Sequence, residues 1–246
     1  METDGLTKKD LEHRHTPEAI RERLEEGPRL SYLRDWVYGG IDGAVTTFAI
    51  VAGVVGAQLS NRVIIILGLA NLIADGFSMA AGNYSATKTE VQQLEHFRDI
   101  EYRHVRVDPD GEREEIRQIY AAKGFEGEDL ETAVEVVTSD EKRWVDTMLS
   151  EEYGLPLEIR SPWMASLMTF VAFVVCGSVP LLAWVLGADA PFTWSMALTG
   201  ATFFAIGSVR SRWSVRPWWL SGLETLAVGA VAAGTAWGIG AWLSRL

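Results

Sequence analysis

The chain has 246 residues, 48% of them hydrophobic, a formal net charge of −11 and one cysteine. The single cysteine, Cys176, excludes a disulfide within the chain and any metal site built from several cysteines. The acidity is concentrated between residues 87 and 160, where 20 acidic residues stand against 10 basic ones. Such a segment repels the phosphates of nucleic acid and favours cations as partners.

The apolar remainder of the chain predicts an all-α membrane protein with five transmembrane helices, because a span needs about 20 mainly apolar residues. The predicted spans are Trp36–Leu59, Val63–Tyr84, Trp163–Leu186, Phe192–Val209 and Trp218–Leu243. The charged segment 1–30 lacks the apolar core of a signal peptide and predicts a cytoplasmic leader containing a loose amphipathic helix. The predicted order is leader, spans one and two (31–86), acidic insert (87–160) and spans three to five (161–246).

The acidic insert predicts a helical domain between the second and third spans. The second span continues without a breaker through Thr87–His104, and Asp108–Gly111 has the composition of a turn. A Thr138-x-x-Glu141 capping box predicts the start of a last helix that ends near Tyr153. Two shorter helices are expected before it, over Glu112–Ala122 and Asp129–Val137.

Arginines fix the expected orientation, because loops rich in Lys and Arg stay in the cytoplasm. Arg29 and Arg34 precede the first span, and Arg210, Arg212 and Arg216 lie between the last two. With five spans these positions and the acidic insert share one side. The N-terminus and the insert are therefore expected in the cytoplasm and the C-terminus outside.

Two carboxylates inside the spans are the strongest functional signal. Asp42 and Asp75 are the single charges of the first two spans, and a charge there needs a partner, a proton or an ion. Asn71, Asp75 and Met79 are spaced four apart and so share one helical face, which predicts a path for a borderline divalent cation. The alternatives are that each Asp pairs with another helix and that Met79 only packs. Glycines flank Asp42, Gly39 among them, and this pattern predicts close helix packing.

The insert offers further oxygen, nitrogen and sulfur donors at helical spacing. These candidate ligands are Glu101, His104, Glu112, Glu115, Met148 and Glu152. The alternative is an ordinary solvated helix surface. A di-iron oxidase is disfavoured, because it needs two Glu-x-x-His motifs and this chain has one. Glu224 is either a proton site or an interfacial carboxylate, and His13, His15 and His96 are expected to be ordinary surface residues.

Three motifs together resemble the vacuolar iron transporter family, in its prokaryotic form. They are Gly39–Gly43, Gly76–Tyr84 and Gly177–Leu182. The resemblance implies a homodimer with its ion path between protomers, which exports cytosolic Fe²⁺ or Mn²⁺ in exchange for protons. It implies no prosthetic group, and a cytoplasmic insert that gathers metal. A prokaryotic cell membrane is the expected location.

The resemblance also assigns residues one by one. Asp42 and Met79 match path positions, and the positions that match the metal-gathering domain are Glu101, Glu112, Glu115, Met148 and Glu152. The chain departs from the family twice. Asn71 stands where plant members have an acidic residue, so Asp75 is expected to supply that charge. His104 replaces a glutamate and is a softer donor. The expected function is metal transport; the alternative is a membrane-anchored sensor or ferroxidase that uses the insert.

Overall fold

The computed structural model describes residues 15–26, 30–211 and 216–245. Within these residues all regular secondary structure is helical, which confirms the all-α fold. The helices are α1 (Pro17–Glu26), α2 (Leu33–Gly56), α3 (Asn61–Val107), α4 (Pro109–Ala122), α5 (Gly127–Thr138), α6 (Glu141–Glu151), α7 (Pro162–Val185), α8 (Pro191–Arg210) and α9 (Trp218–Leu243).

Five of the described helices are long and apolar enough to cross a membrane: α2, α3, α7, α8 and α9. They correspond to the five predicted spans, and α9 has the predicted bounds. The predicted first span, Trp36–Leu59, lies too far along the chain, because α2 starts at Leu33 and ends at Gly56. Gln58 has a φ of 58°, in the left-handed region, and this conformation stops the helix before Leu59.

The segment that ends at Ser31 is a separate compact unit, in which α1 is a short charged helix. The leader prediction placed a loose helix in 1–27; residues 1–14, with His13, and 27–29 lie outside the described part. His15 is exposed, in agreement with its surface assignment.

Helix α2 is the centre of the membrane bundle and contacts α3, α7, α8 and α9. Its approach to α7 is very close. A Cβ on Gly39 would lie 2.2 Å from the carbonyl oxygen of Thr169, and one on Gly43 would lie 2.3 Å from that of Phe173. Only glycine permits this backbone contact. The predicted packing role of these glycines is thus seen in the structure.

Helix α3 has 47 residues and joins the membrane bundle to the insert. At about 1.5 Å per residue it is about 70 Å long, more than twice the hydrocarbon thickness. Its second half packs with α4 and α6, and α5 packs on α4 and α6. The insert has its own hydrophobic core, formed by Leu94, Val105, Ile116, Val134, Val137, Trp144, Val145, Met148 and Leu149.

The start of α4 corrects one boundary in the insert. Pro109, Asp110 and Gly111 are helical and do not form the predicted turn, so α4 begins three residues earlier than Glu112. Asp108 is the N-cap residue and accepts a hydrogen bond from the Gly111 amide at 3.2 Å. Proline in the first turn is compatible with a helix, because its missing N–H would have no intrahelical partner there.

The predicted capping box at Thr138 is wrong. Thr138 is the last residue of α5, and its hydroxyl donates to the carbonyl oxygen of Val134. The N-cap of α6 is Asp140, whose carboxylate accepts from the Arg143 amide at 2.8 Å. Both residue types cap helices well, and Asp140 lies one residue before the helix, where a cap must be.

Candidate metal sites

A polar stripe runs along one face of α3 inside the membrane bundle. Asn71, Asp75 and Met79 are all half-buried, whereas the neighbouring stripe, with Leu72 and Gly76, is fully buried against the bundle. The Asn71 amide donates to the hydroxyls of Thr46 and Thr47 on α2, so its carbonyl oxygen is the atom that can bind a cation. The three predicted donors therefore share one face and remain partly accessible.

Asp42 on α2 is half-buried and lies close enough to Asp75 for their charges to interact. Two like charges at this depth repel each other, and a divalent cation between them removes that repulsion. The carbonyl oxygen of Asp42 accepts from the Thr46 hydroxyl at 2.9 Å, and Thr46 in turn accepts from Asn71. Hydrogen bonds thus join the two helices beside the carboxylate pair.

The second cluster lies in the insert, where α3 meets α4. One carboxylate oxygen of Glu101 and one of Glu112 lie 3.6 Å and 3.4 Å from Nδ1 of His104. One ligand atom from each of the three residues lies within 4.8 Å of the others, a spacing that suits a single metal ion. These are three of the predicted ligands, and two glutamates with one imidazole suit Fe²⁺ or Mn²⁺.

Unpartnered oxygens strengthen the interpretation of this cluster as a metal site. Glu101 and Glu112 are both buried, and the second oxygen of each carboxylate has no hydrogen-bond partner among the described residues. Buried acceptors without a partner are costly, and here either a proton shared between Glu112 and Glu101 or a bound ion would satisfy them. The other Glu101 oxygen accepts from the Tyr153 hydroxyl at 3.0 Å, which raises the pKa of Tyr153 in addition to the effect of its burial.

The remaining predicted insert ligands lie around this cluster in different ways. Glu115 and Glu152 are exposed, and their charges act on Glu112. Burial and the charges of Glu115 and Glu101 also raise the pKa of Glu152. Met148 is fully buried in the hydrophobic core of the insert.

The pKa of Glu112 predicts that the insert binds metal more tightly as pH rises. Burial, followed by the charges of Glu115, Glu101 and Glu152, raises this pKa from 4.5 to about 7. A metal must displace the proton, so affinity should fall as pH falls below about 7 and level off above it. A Mn²⁺ titration of the detergent-solubilised protein at pH 6, 7 and 8 measures this. Glu112→Gln should bind more weakly and with a flatter pH dependence.

The same pKa shift gives the sign of a stability effect. A carboxyl group with a raised pKa in the fold contributes stability below its ordinary pKa, and that stability is lost as pH rises through about 7. Without metal, the insert should therefore become less stable between pH 4.5 and 7, and Mn²⁺ should restore stability at the upper end. An equal loss in Glu112→Gln would contradict this assignment.

Glu224 forms ion pairs with Arg210 at 2.9 Å and Arg216 at 3.7 Å, and it is half exposed. This environment supports the interfacial carboxylate among its two interpretations. His96 is exposed, as its surface assignment predicts.

The sequence interpretation missed a buried polar cluster at the insert end of α2. Asp35 is 3% exposed and pairs with Arg160 at 2.5 Å. The Asn83 amide donates to Asp35 at 2.9 Å and to the Thr169 hydroxyl at 2.7 Å. One signal was available, since Asn83 lies four residues after Met79 and extends the polar stripe.

The comparisons with known proteins cover the membrane helices and the insert. A sequence profile of the VIT family matches residues 33–241, which include every described residue of α2 to α8 and most of α9. This match covers both the membrane stripe and the insert cluster.

Several curated proteins are similar over most of their length. A vacuolar iron transporter of Toxoplasma gondii is 34% identical, over 86% of this chain and 74% of that protein. Vacuolar iron transporter 2 of Oryza sativa subsp. japonica is 30% identical, over 84% and 85%. Vacuolar iron transporter 1 of Arabidopsis thaliana is 28% identical, over 83% of each.

Proposed function

Because the chain belongs to the VIT family, we propose that it transports Fe²⁺, and also Mn²⁺, out of the cytosol. Its relatives are named as iron transporters, and their names supply the ion class. The observation that carries the proposal is the half-buried stripe of Asn71, Asp75 and Met79, with Asp42 beside it. Carboxylate, amide and thioether donors at membrane depth suit a partly dehydrated transition metal.

We propose that the path is completed by a second copy of the chain. A single chain leaves the donor stripe half-buried, and a carboxylate exposed to lipid is costly. Large apolar side chains next to the stripe are also exposed, with Ile73 at 63% and Phe77 at 69%. A homodimer that pairs these faces would cover the donors and leave the path between the protomers.

Proton exchange follows from the same carboxylate pair. Asp42 and Asp75 interact electrostatically, so either a metal ion or protons must relieve their repulsion. A carboxylate pair that releases its metal ion on one side of the membrane can therefore carry protons on the return step. This supports an exchanger. The arginine-rich segments of the sequence support the proposed orientation, with the insert in the cytoplasm of a prokaryotic cell and the C-terminus outside.

The insert supplies metal to this path. Glu101, His104 and Glu112 hold the first ion, and the surrounding acidic surface raises the local cation concentration. A divalent ion bound there replaces the proton of Glu112 and occupies the unpartnered oxygens. Transfer of the ion from the insert to the membrane donors then requires an opening between α2 and α3.

Metal flux in proteoliposomes tests the proposed function. The wild-type protein should carry Fe²⁺ and Mn²⁺ at rates that rise several-fold when an opposing proton gradient is imposed. A metal-sensitive dye and a pH-sensitive dye trapped in the same vesicles measure both ions. Metal flux that does not change with the proton gradient would contradict exchange and favour a channel. An absence of flux, with metal still bound at the insert, would favour the sensor.

A further inference from the structure

Asp35, a buried carboxylate, lies nearer the insert than the path residues Asp42 and Met79. Asp35 precedes Asp42 by seven residues on α2, which places both on one face about 10 Å apart along the axis. Asp35 is 3% exposed, and Arg160, at 16% exposure, is its ion-pair partner. Asn83 also donates to it. Both oxygens of the carboxylate therefore have a partner, one of them a cation.

An open cavity is lined both by Asp35 and by Met79 of the metal path. It has a volume of about 400 Å³ and lies between α2 and α3, and we call it the entry cavity. Asp35 and Asn83 line it together with Met79, one turn deeper than Asn83 on α3. Its remaining lining residues are Arg34, Tyr38, Gly82 and Ala86. A cation that leaves Asp35 thus has free space toward the first path ligand.

We propose that Asp35 is the entry site for the divalent cation and that Arg160 occupies this site at rest as a tethered cation. This inference rests on the proposed transport function. A metal ion and a guanidinium cannot share one carboxylate, since their charges repel. Metal entry therefore requires Arg160 to withdraw. Asn83 directs its NH2 group at Asp35 and so orients the carboxylate, while the Thr169 hydroxyl beside it offers a neutral oxygen to the incoming ion.

The chain segment that carries Arg160 also joins the two metal sites. It runs from Tyr153 to Arg160 between α6 and α7, and Ile159 packs against the hydrophobic core of the insert. At its start, Tyr153 donates to Glu101, one of the three clustered ligands. One short segment therefore links a ligand of the insert cluster to the residue that pairs with Asp35.

Mn²⁺ uptake into proteoliposomes at graded concentrations, with Arg160→Gln against wild type, tests the inference. Removing the tethered cation should lower the apparent KM by about threefold or more, because the competing charge is gone. Arg62→Gln is the control: Arg62 is exposed at the start of α3, away from the entry cavity, so its loss removes the same charge from the chain but not from the entry. Its KM should stay within about twofold of wild type. An unchanged KM in Arg160→Gln, or an equal change in both variants, would overturn the inference.

Asp35→Asn provides a second test that does not depend on the folding of Arg160→Gln. It keeps a hydrogen-bonding group beside Asn83 and should raise the apparent KM about tenfold. A purely structural ion pair predicts less folded protein and a lower maximal rate at unchanged KM, and that result would also overturn the inference. Wild-type flux with unaffected variants would refute the entry site alone, whereas absence of wild-type flux would refute the transport function.

Discussion

Asp42→Asn should abolish metal flux while leaving the protein folded. Asparagine has nearly the same shape, so the half-buried position on α2 can accept it. The substitution removes the charge that we propose to hold the metal together with Asp75. Losing one partner of a buried ionic interaction costs about 3 kcal/mol or more. On the transport barrier this corresponds to about a hundredfold slower flux.

The measurement is Mn²⁺ and Fe²⁺ flux in proteoliposomes, normalised to reconstituted protein. Asp189→Asn is a suitable control, because it removes the same charge from an exposed residue in the segment before α8. That variant should transport like wild type. A monodisperse elution profile and an unchanged melting temperature would show that Asp42→Asn is folded. If flux persisted in Asp42→Asn, the path would not run past α2 at this depth.

Loss of the proton response should accompany the loss of flux, because Asp42 and Asp75 share one electrostatic environment. With a single remaining carboxylate, there is no like-charge repulsion for protons to relieve. Coupling and metal binding therefore depend on the same pair.

The membrane part of the fold was predictable because its signals are local. Each span is a run of apolar residues long enough to cross the bilayer, and the loops between them carry Gly, Pro or charge. The helical stripe of Asn71, Asp75 and Met79 follows from a spacing of four. The error at Leu59 arose because a residue in the left-handed conformation, Gln58, ended the helix, and its type gives no warning of this.

The contacts that complete both sites were not predictable in the same way. Asp35 and Arg160 are 125 positions apart, and Glu101 and Tyr153 are 52 apart. Periodicity within a helix does not reveal such pairs, because they depend on how the helices pack. The wrong cap at Thr138 has another cause, since Asp140 two residues later is an equally good capping residue. The sequence pattern alone does not choose between them.

Gly43→Ala should strongly destabilise the membrane bundle. The added Cβ would lie 2.3 Å from the carbonyl oxygen of Phe173 and 2.8 Å from its Cα. These are backbone atoms, so no side-chain rotation relieves the clash, and α2 must move away from α7. Overpacking of this kind costs about 1–3 kcal/mol, and for a chain of this size the melting temperature should fall by about 5–10 °C.

Gly53→Ala is the matched control on the same helix. Its Cβ would meet the carbonyl oxygen of Ala236 at 3.6 Å, an ordinary van der Waals contact. Because alanine favours a helix over glycine by up to about 1 kcal/mol, this variant should melt at or above the wild-type temperature. Thermal unfolding in one detergent compares the two variants directly. Equal melting temperatures would mean that α2 and α7 can separate at little cost. The position of Asp42, the residue before Gly43, would then not be fixed by this packing. A rise in melting temperature for Gly53→Ala alone would tie the placement of the path carboxylate to the glycine contact with α7.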